Sequence, residues 1–518
     1  MKQFLKGKYW LFIVLATIIF FWLRLPQVLT NQIPFVFDMG RDHIWVRNMV
    51  ELKRPTLIGP WGSLAGIYFG PAWYYLLAIP YILTSGDPRG SVIWVMLINL
   101  VVLLFGAKFI KKEISKKAAI LFAFLFALSP QNINITTSPF HANILPLTMM
   151  AMLWSMYQFL KGKKHLLWIG ALATSLNFHF EPATGVFTTL TLILFLIWQR
   201  KKINLKALSL SGFSFFLPFI PQLIFELRHN FIQSRSLLLY FQGQNESLKG
   251  KLPFFFRLGE RIRKFTELFS EAVIPYVPLI IAGLILAAII VFLQKAKKTK
   301  QETRLFSLLL LSLLVPLLGF MFLFPPELKR WYLYGFSINY FILVALFLNK
   351  LVANRLTIYS LFLIPYFFWL GQLHNHLLGI KQSTLTGPDI LSSQLKVVDR
   401  VYQLAGGKPF NVYTYVPPIY DYQYQYLYWW KSRQEEKPLP VEYSYLPNET
   451  SYHPQKDQFS SLLQIEPEIT FLVIEPENDL NRIQGWLGHF ADFQSVEEEV
   501  LPSGLTIQTR LPPSSEVQ

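Results

Sequence analysis

The sequence predicts a mainly α-helical, polytopic membrane protein that carries a small α/β domain at its C-terminal end. The first observation is composition, because 53% of the 518 residues are hydrophobic and only 15% are charged. The resulting mean hydropathy of +0.35 is typical of a membrane protein and not of a soluble protein of this length. The second is the recurrence, up to Leu373, of apolar runs of about 20 residues, which suffice to cross a bilayer. The third is the loss of that pattern after Leu373.

The basic residues predict the orientation of the chain. The formal charge of +17 would suggest a nucleic-acid partner in a soluble protein. Here most of the basic clusters lie in short turns between apolar runs, and the positive-inside rule places such turns in the cytoplasm. We therefore expect membrane lipids as partners, no nucleic acid, a cell-membrane location and a cytoplasmic N-terminus. The predicted cytoplasmic turns are 111–117, 161–165, 200–202, 295–304 and 349–355.

The alternation of turns predicts about eleven spans. The first run is expected to be an uncleaved span, because no small-residue cleavage site follows it. The run 72–83 is short and contains Pro80, and a crossing there would put the basic turn 111–117 outside the cell. It is therefore predicted to be an interfacial or re-entrant helix on the outer face. The predicted spans are 10–29, 91–110, 118–128, 144–160, 166–178, 183–198, 207–225, 273–293, 305–324, 332–348 and 356–373.

The last span leaves residues 374–518 outside the cytoplasm as the predicted α/β domain, after a membrane domain of residues 1–373. The expected helices are 389–405 and 479–490, and the expected strands are 411–416 and 469–474, followed by a hairpin of 495–500 and 505–510. Residues 421–430 are rich in Tyr and Trp. They predict a helix whose rings either form an open face for a sugar or lipid or pack against the membrane domain.

The first outer loop, residues 30–90, contains the strongest candidate for chemistry. Asp38 and Asp42 are four residues apart, with Arg41 between them. A helix over 40–52 would place both acids near one face at its N-terminal end, where the helix dipole favours negative charge. Such a carboxylate can act as a general base or hold a divalent cation. The simpler alternative is a helix cap with a solvated acid.

This loop carries a family resemblance. An acidic motif in the first outer loop, an amphipathic helix and the segment Gly70-Pro-Ala-Trp-Tyr-Tyr-Leu-Leu-Ala78 resemble the GT-C membrane glycosyltransferases. They are similar in particular to the glycosyltransferase 39, protein O-mannosyltransferase, aminoarabinose-transferase and RgtA-like group. The resemblance covers residues 1–373.

The resemblance implies an inverting hexosyl- or pentosyltransferase of the cell envelope. Its donor would be a polyprenyl-phosphate sugar, and its acceptor a lipid, glycan or protein on the outer face of the membrane. Asp38 is then expected to be the catalytic base, with Asp42 as the second choice or as the partner that tunes it. The adjacent acidic pair of some relatives is missing here, which leaves the choice between the two open.

Further substrate-binding candidates lie at predicted outer turns, and Arg41 of the acidic motif is one more. His179 and Glu181 lie at the outer end of a span, where ionisable groups are functional candidates, although they could simply close the turn. Arg228 and His229 begin a long outer loop that also holds Arg257, Arg261, Arg263 and Lys264. These cations could bind a lipid-linked phosphate or ordinary lipid headgroups. The resemblance adds Arg330, with the neighbouring Tyr332, as a contact for the donor phosphate.

The sequence contains no convincing metal-ligand pattern and no cofactor motif. The chain has no Cys, which excludes disulfides, thiolate metal sites and a Cys nucleophile. A divalent cation remains open. The alternative function is a transporter or flippase for lipid-linked saccharides, or a protein that binds them without catalysis. Transporters commonly show internal repeats and ionisable residues at the midplane. Here no repeat is visible and the ionisable residues lie at outer ends, which favours the enzyme.

Overall fold

The computed structural model describes residues 4–62, 66–242, 253–351, 366–367, 369–375, 377–378, 387–447, 455–459 and 466–512. The chain divides into two compact units, each of them built from separate stretches of sequence. The first unit consists of Met1–Leu25, Pro55–Leu76 and Val92–Asn375. The second unit consists of Pro26–Arg54, Leu77–Ser91 and His376–Gln518. The second unit therefore contains two pieces of the predicted first outer loop.

Helices make up most of the described chain. They are α1 (Phe4–Trp22), α2 (Leu25–Leu29), α3 (Phe37–Glu51), α4 (Ala72–Leu83), α5 (Pro88–Glu113), α6 (Lys116–Leu128), α7 (Pro130–Thr136), α8 (Leu145–Leu160), α9 (Leu167–Phe180), α10 (Pro182–Trp198), α11 (Leu205–Phe216), α12 (Ile220–Arg228), α13 (Ile232–Phe241), α14 (Phe254–Val273), α15 (Leu279–Lys295), α16 (Lys300–Leu323), α17 (Ser337–Lys350), α18 (Leu391–Ala405), α19 (Tyr422–Glu435) and α20 (Leu480–Leu487). Short 3₁₀ turns include His141–Ile144 and Arg330–Phe336.

Among the described residues, five helical stretches are long and apolar enough to cross a membrane: Lys8–Leu29, Pro88–Glu113, Leu205–Arg228, Lys300–Leu323 and Arg330–Lys350. The pair α6 and α7, bent by 62°, could form a sixth, and α4, α10 and α15 are shorter apolar helices. The chain is a multi-pass membrane protein. Helices occupy every predicted span that lies within the described residues. Most of the predicted span 356–373 lies outside them, and the total of about eleven stays a prediction.

Many polar side chains of the first unit find hydrogen-bond partners within its apolar helices. Its Ser and Thr side chains repeatedly donate to carbonyls one turn earlier, as Thr188 does to Thr184. Helices α8, α9 and α10 are joined by neutral hydrogen bonds: Thr148 Oγ1 donates to Asn177 Oδ1 at 2.5 Å, and Asn177 Nδ2 donates to Thr188 Oγ1 at 3.0 Å. Because water is scarce inside a membrane, such groups must find partners within the protein.

The second unit contains a five-stranded mixed sheet. Its strands are β1 (Phe410–Tyr415), β2 (Tyr443–Ser444), β3 (Ile469–Ile474), β4 (Gln494–Val500) and β5 (Thr506–Leu511), in the order β2-β1-β3-β5-β4. Strand β1 is parallel to β2 and β3, and β5 is antiparallel to β3 and β4. The predicted strands, hairpin and both helices of this region are confirmed. Strand β2, only two residues long, was not predicted.

The chain before α3 is joined to the chain before α18 inside the second unit. Phe35 N donates to the Asp389 carbonyl at 2.9 Å and Leu391 N donates to the Ile33 carbonyl at 2.9 Å. Helix α3 packs on α19. The six aromatic side chains at the start of α19 are all buried: Tyr422, Tyr424, Tyr426, Tyr428, Trp429 and Trp430. The predicted open face for a sugar or lipid is therefore wrong, and the rings pack within the second unit.

Candidate active site

The acidic motif forms the first turns of α3. Val36 has extended backbone angles and precedes the helix, so Asp38 stands in its first turn, where unpaired N–H groups and the helix dipole favour a carboxylate. The helix begins at Phe37 and not near Gly40 as predicted. This earlier start places Asp38 inside the helix and Asp42 one turn later.

Arg41 bridges the two carboxylates. Its Nη1 lies 2.7 Å from Asp38 Oδ1, while its Nε and Nη2 both donate to Asp42 Oδ1, at 2.9 and 2.8 Å. The side chains of Arg41 and Asp42 are 2% and 1% exposed, whereas that of Asp38 is 29% exposed. A substrate can therefore reach Asp38, whereas Asp42 is enclosed. Arg41 is fixed between the two acids and is buried with Asp42, and its role as a substrate contact stays a prediction.

Close packing of α3 on α19 fixes this arrangement. A Cβ atom at Gly40 would lie 2.2 Å from the backbone nitrogen of Gln423, so a side chain there is excluded. Arg41 lies near Tyr422: burial raises the pKa of the Tyr422 phenol, and the positive charge of Arg41 opposes that rise. The motif is thus held by residues that lie about 380 positions later in the chain.

His43, one turn beyond Met39, is a buried residue of the motif that sequence reasoning did not single out as functional. Its Nδ1 lies 2.7 Å from the Met39 carbonyl and its Nε2 lies 2.9 Å from Ser91 Oγ. Burial lowers its pKa to about 4, so the ring is neutral at physiological pH. Because a carbonyl can only accept, Nδ1 carries the proton and Nε2 accepts from Ser91. His43 therefore links α3 to Ser91 and is enclosed away from solvent.

A second acidic group of the same unit lies at the carboxyl end of β3. Tyr424 of α19 donates its hydroxyl to Glu475 Oε1 at 3.0 Å. Burial, assisted by the nearby carboxylates of Asp389 and Asp421, raises the pKa of Glu475 to about 7. The sequence signal that could have found it was an acid directly after the apolar strand Ile469–Ile474.

His179 and Glu181, in the first unit, are buried at the junction of α9 and α10. His179 Nδ1 accepts a hydrogen bond from Ala72 N at 3.3 Å, and a Cβ at Gly70 would collide with the His179 ring. His179 thus holds the end of the first outer loop. Burial raises the pKa of Glu181 to about 8, and its Oε2 has no hydrogen-bond partner among the described residues. Glu181 is consequently protonated at neutral pH.

Tyr332 lies beside this junction, whereas Arg330 is engaged elsewhere. Thr184 Oγ1, in the first turn of α10, donates to the Tyr332 carbonyl at 2.6 Å. Arg330, about half exposed, forms an ion pair with Glu271 of α14. A donor phosphate at Arg330 would have to compete with that carboxylate. The backbone of Tyr332 therefore lies against the first turn of α10, the helix that follows Glu181.

Arg228 and His229 are exposed at the end of α12. The His229 ring stacks on Phe225 with centroids 4.0 Å apart, and its Nδ1 lies 2.8 Å from the Phe225 carbonyl. Glu226, in contrast, is buried and accepts from the backbone of Gln233 and Ser234. Glu226 closes the turn into α13, while Arg228 stays accessible to solvent.

The predicted site residues fall into two groups. Asp38, Arg41 and Asp42 belong to the second unit, whereas His179, Glu181, Arg228, His229, Arg330 and Tyr332 belong to the first. Within the described ranges, no three His, Cys, Asp or Glu side chains come together in a way that could hold a metal ion.

Comparisons with known proteins show the fold. No protein-family model matches the chain, and no curated protein matches its sequence. The chain is similar to the crystal structure of ArnT from Cupriavidus metallidurans bound to undecaprenyl phosphate, with a TM-score of 0.56 and 12% identity over 97% of this chain and 98% of that one. The apo state of ArnT gives a TM-score of 0.55 and 13% identity over the same shares. The chain therefore has the fold of ArnT, and the predicted resemblance in fold is confirmed.

Proposed function

We propose that this protein is a membrane glycosyltransferase that transfers a sugar from a polyprenyl-phosphate donor to an acceptor on the outer face of the cell membrane. The observation that carries the proposal is the accessible carboxylate of Asp38, held by Arg41, in a chain with the fold of ArnT. One ArnT structure is described as bound to undecaprenyl phosphate, which supports a lipid-linked donor here. Because a fold hosts several functions, the activity rests on the site and not on the fold alone.

In the proposed reaction, Asp38 acts as the general base. Its carboxylate takes the proton of an acceptor hydroxyl while the acceptor oxygen forms a bond to the anomeric carbon of the donor sugar. The bond between that carbon and the phosphate oxygen breaks at the same time, and polyprenyl phosphate leaves with the electron pair. Attack from the face opposite the phosphate inverts the anomeric configuration.

Arg41 and Asp42 position the base. Asp42 is enclosed and fixes one edge of the guanidinium through two hydrogen bonds, so Arg41 presents Nη1 to Asp38 in a defined direction. A carboxylate held in this way keeps its lone pairs oriented before the acceptor arrives, which lowers the entropic cost of the step. This arrangement supports Asp38 as the base and Asp42 as the residue that tunes it.

We further propose that the first unit binds the lipid part of the donor among its helices, with the N-terminus in the cytoplasm and residues 374–518 outside it. Arg330 and Arg228 are the proposed contacts to the donor phosphate, and His179, Glu181, His229 and Tyr332 are the proposed neighbours of that phosphate or its sugar. A protonated Glu181 would donate a hydrogen bond to the donor without repelling its negative charge.

The test is sugar transfer by the purified protein in lipid nanodiscs, offered a panel of polyprenyl-phosphate sugars with and without divalent cations. Asp38→Asn is expected to lower turnover by about 10²- to 10⁴-fold while the protein still binds donor. Asp42→Asn should retain measurable turnover, because it leaves the base in place. Asp492→Asn, an exposed carboxylate of the second unit, is the matched control and should equal wild type.

Two results would contradict the proposal. If Asp38→Asn turned over sugar as fast as Asp492→Asn, the acidic motif would be structural. If no donor in the panel were cleaved or transferred but labelled donor moved between leaflets of vesicles that contain the protein, the transporter alternative would replace the enzyme.

A further inference from the structure

Helix α14 of the first unit has two contrasting faces. One face is buried and includes Arg261, Phe265 and Phe269. The other begins with large exposed rings: the residue surface is 84% exposed at Phe255 and 62% at Phe256. The helix is too polar to count among the stretches that could cross a membrane. A two-faced helix with aromatic residues on its open side is typical of a segment that lies in the membrane interface.

Arg261 fastens α14 to the end of a predicted span. Its guanidinium donates to the carbonyls of Phe320 and Phe324, at 3.3 and 3.1 Å, and also to the carbonyl of Pro326. The last carbonyls of a helix have no partner within that helix, so the buried cation completes the C-terminal end of α16. Arg261 is therefore a structural residue and not the phosphate ligand considered from the sequence. The contact fixes α14 at the level where α16 ends.

The exposed rings of α14 continue the apolar surface of α16. Helix α16 is long and apolar enough to cross a membrane, and its last turn exposes Phe322 and Leu323. The ring of Phe254 lies 6.1 Å from that of Phe322, centroid to centroid. The outward surface of the span thus runs directly into Phe254, Phe255 and Phe256.

Arg257 adds a cation with spare hydrogen-bond donors at the same place. Its guanidinium lies 5.5 Å from the centroid of the Phe254 ring, and its buried Nε has no hydrogen-bond partner among the described residues. The neighbouring cations are engaged, since Arg263 pairs with Glu267 and Arg330 pairs with Glu271. Across the described part of the chain, no carboxylate lies within ion-pair distance of Arg257.

We propose that residues 254–257 form a lipid-docking surface at the end of α16. Phe255 and Phe256 insert beside the acyl chains at the interface, and Arg257 binds the phosphate of an anionic phospholipid of the bilayer. Aromatic rings favour this depth, and a guanidinium matches phosphate with two parallel hydrogen bonds. The proposal does not depend on the glycosyltransferase activity, since it concerns the bilayer and not the donor.

The absence of Cys from the chain makes depth measurements straightforward, because each introduced Cys carries the sole label. A nitroxide label is attached to the Phe255→Cys variant, which is placed in nanodiscs of three parts phosphatidylcholine to one part phosphatidylglycerol. Leu314→Cys, on the exposed side of α16, and Val496→Cys, exposed on β4, are the lipid and water references. Collision rates with oxygen and with a water-soluble nickel chelate report depth. We expect Phe255→Cys to be shielded from nickel and shallower than Leu314→Cys. If the label at Phe255→Cys collided with the nickel chelate as often as the label at Val496→Cys, the proposed insertion of Phe255 would be wrong.

The headgroup contact is tested by thermal unfolding in phosphatidylcholine nanodiscs with and without phosphatidylglycerol. Phosphatidylglycerol should raise the wild-type midpoint, Arg257→Gln should lose at least half of that rise, and Arg263→Gln, whose cation already has a partner, should keep it. If phosphatidylglycerol raised the thermal midpoints of Arg257→Gln and Arg263→Gln equally, the proposed contact between Arg257 and the headgroup would be wrong. A rise that depends on Arg257 but comes from undecaprenyl phosphate, and not from phosphatidylglycerol, would also overturn it and assign the cation to the donor.

Discussion

Two buried arginines of the first unit and one of the second differ in their partners. In the first unit, Arg24 donates to the carbonyls of Phe20 and Ala127 at 2.9 and 3.0 Å, and Arg261 donates to carbonyls at the end of α16 besides pairing with its neighbour Glu260. In the second unit, Arg41 binds two carboxylates, one enclosed and one accessible. A guanidinium that satisfies carbonyls completes the backbone of a helix bundle. One that bridges acids leaves a negatively charged, oriented group for chemistry.

This difference teaches that a basic residue at a predicted outer turn is not by itself a ligand for the donor phosphate. Arg261 was a candidate because it is a cation against the expected topological bias, and Arg330 was a candidate because of the family resemblance. The structure gives both of them partners within the first unit. Exposure then separates the two, because the guanidinium of Arg261 is enclosed, whereas Arg330 is about half exposed and a donor phosphate could compete with Glu271 for it.

The largest effects should come from removing each kind of guanidinium. Arg261→Gln leaves Glu260 and several carbonyls buried without their cation, and Arg41→Gln leaves Asp42 enclosed beside Asp38. Each is expected to destabilise the protein by about 3–5 kcal/mol. Turnover per folded molecule should differ, with at least a tenfold loss for Arg41→Gln and little change for Arg261→Gln. Thermal midpoints and turnover, both normalised to folded protein in nanodiscs, separate the two effects.

The double variant Arg41→Gln, Asp42→Asn serves as the control. It removes the uncompensated charge and should recover most of the stability, yet not the turnover, because Asp38 remains unpositioned. If Arg261→Gln reduced turnover as strongly as Arg41→Gln, the distinction between the two kinds of arginine would fail.

Glu475 tests whether crowded carboxylates make the stability of the second unit depend on pH. Its folded pKa of about 7 lies above the ordinary value of 4.5, so the native state binds a proton that the unfolded state has released between these values. The free energy of unfolding therefore falls as pH rises through this window, by roughly 3 kcal/mol in total. Glu475→Gln should match wild type near pH 4.5 and be more stable above pH 7.

The Gln variant keeps an acceptor for the Tyr424 hydroxyl, so the comparison isolates the charge. The measurement is the difference in thermal midpoint between variant and wild type at pH 5 and pH 8. A difference that stays constant between these values would show that the carboxyl of Glu475 titrates normally.

Local and compositional signals predicted much of this architecture. Apolar length places helices at the spans, and the four-residue spacing of Asp38 and Asp42 places both acids in the first turns of one helix, since helical geometry depends on neighbours in sequence. The strands at Phe410–Tyr415 and Ile469–Ile474 were equally recognisable from their apolar, β-branched and aromatic runs.

The remainder of the site depends on contacts between distant parts of the chain. The burial of Asp42 and His43 comes from the packing of α3, and the membership of 26–54 in the second unit comes from backbone hydrogen bonds to the chain near Asp389. Neither this packing nor these backbone hydrogen bonds produce a periodic pattern in the sequence. The sequence left open whether Asp38 or Asp42 is the base. Their side chains differ in exposure, and tertiary packing sets that difference.

The smallest predicted effect concerns the approach of α3 to α19, which keeps the acids of the second unit in place. Gly40→Ala puts a methyl group 2.2 Å from the backbone nitrogen of Gln423, so the helices must separate, and we expect a loss of about 1–3 kcal/mol. Gly259→Ala, in α14 of the first unit with no atom near its Cβ, is the matched control and should be neutral or stabilising by up to about 1 kcal/mol.

Thermal midpoints measure both changes. Because separation of the helices would also shift Arg41 away from Tyr422, turnover should fall in Gly40→Ala and not in Gly259→Ala. Equal midpoints and equal turnover would mean that the acidic motif keeps its geometry without close helix contact, and the second unit would then be no more sensitive to packing than the first.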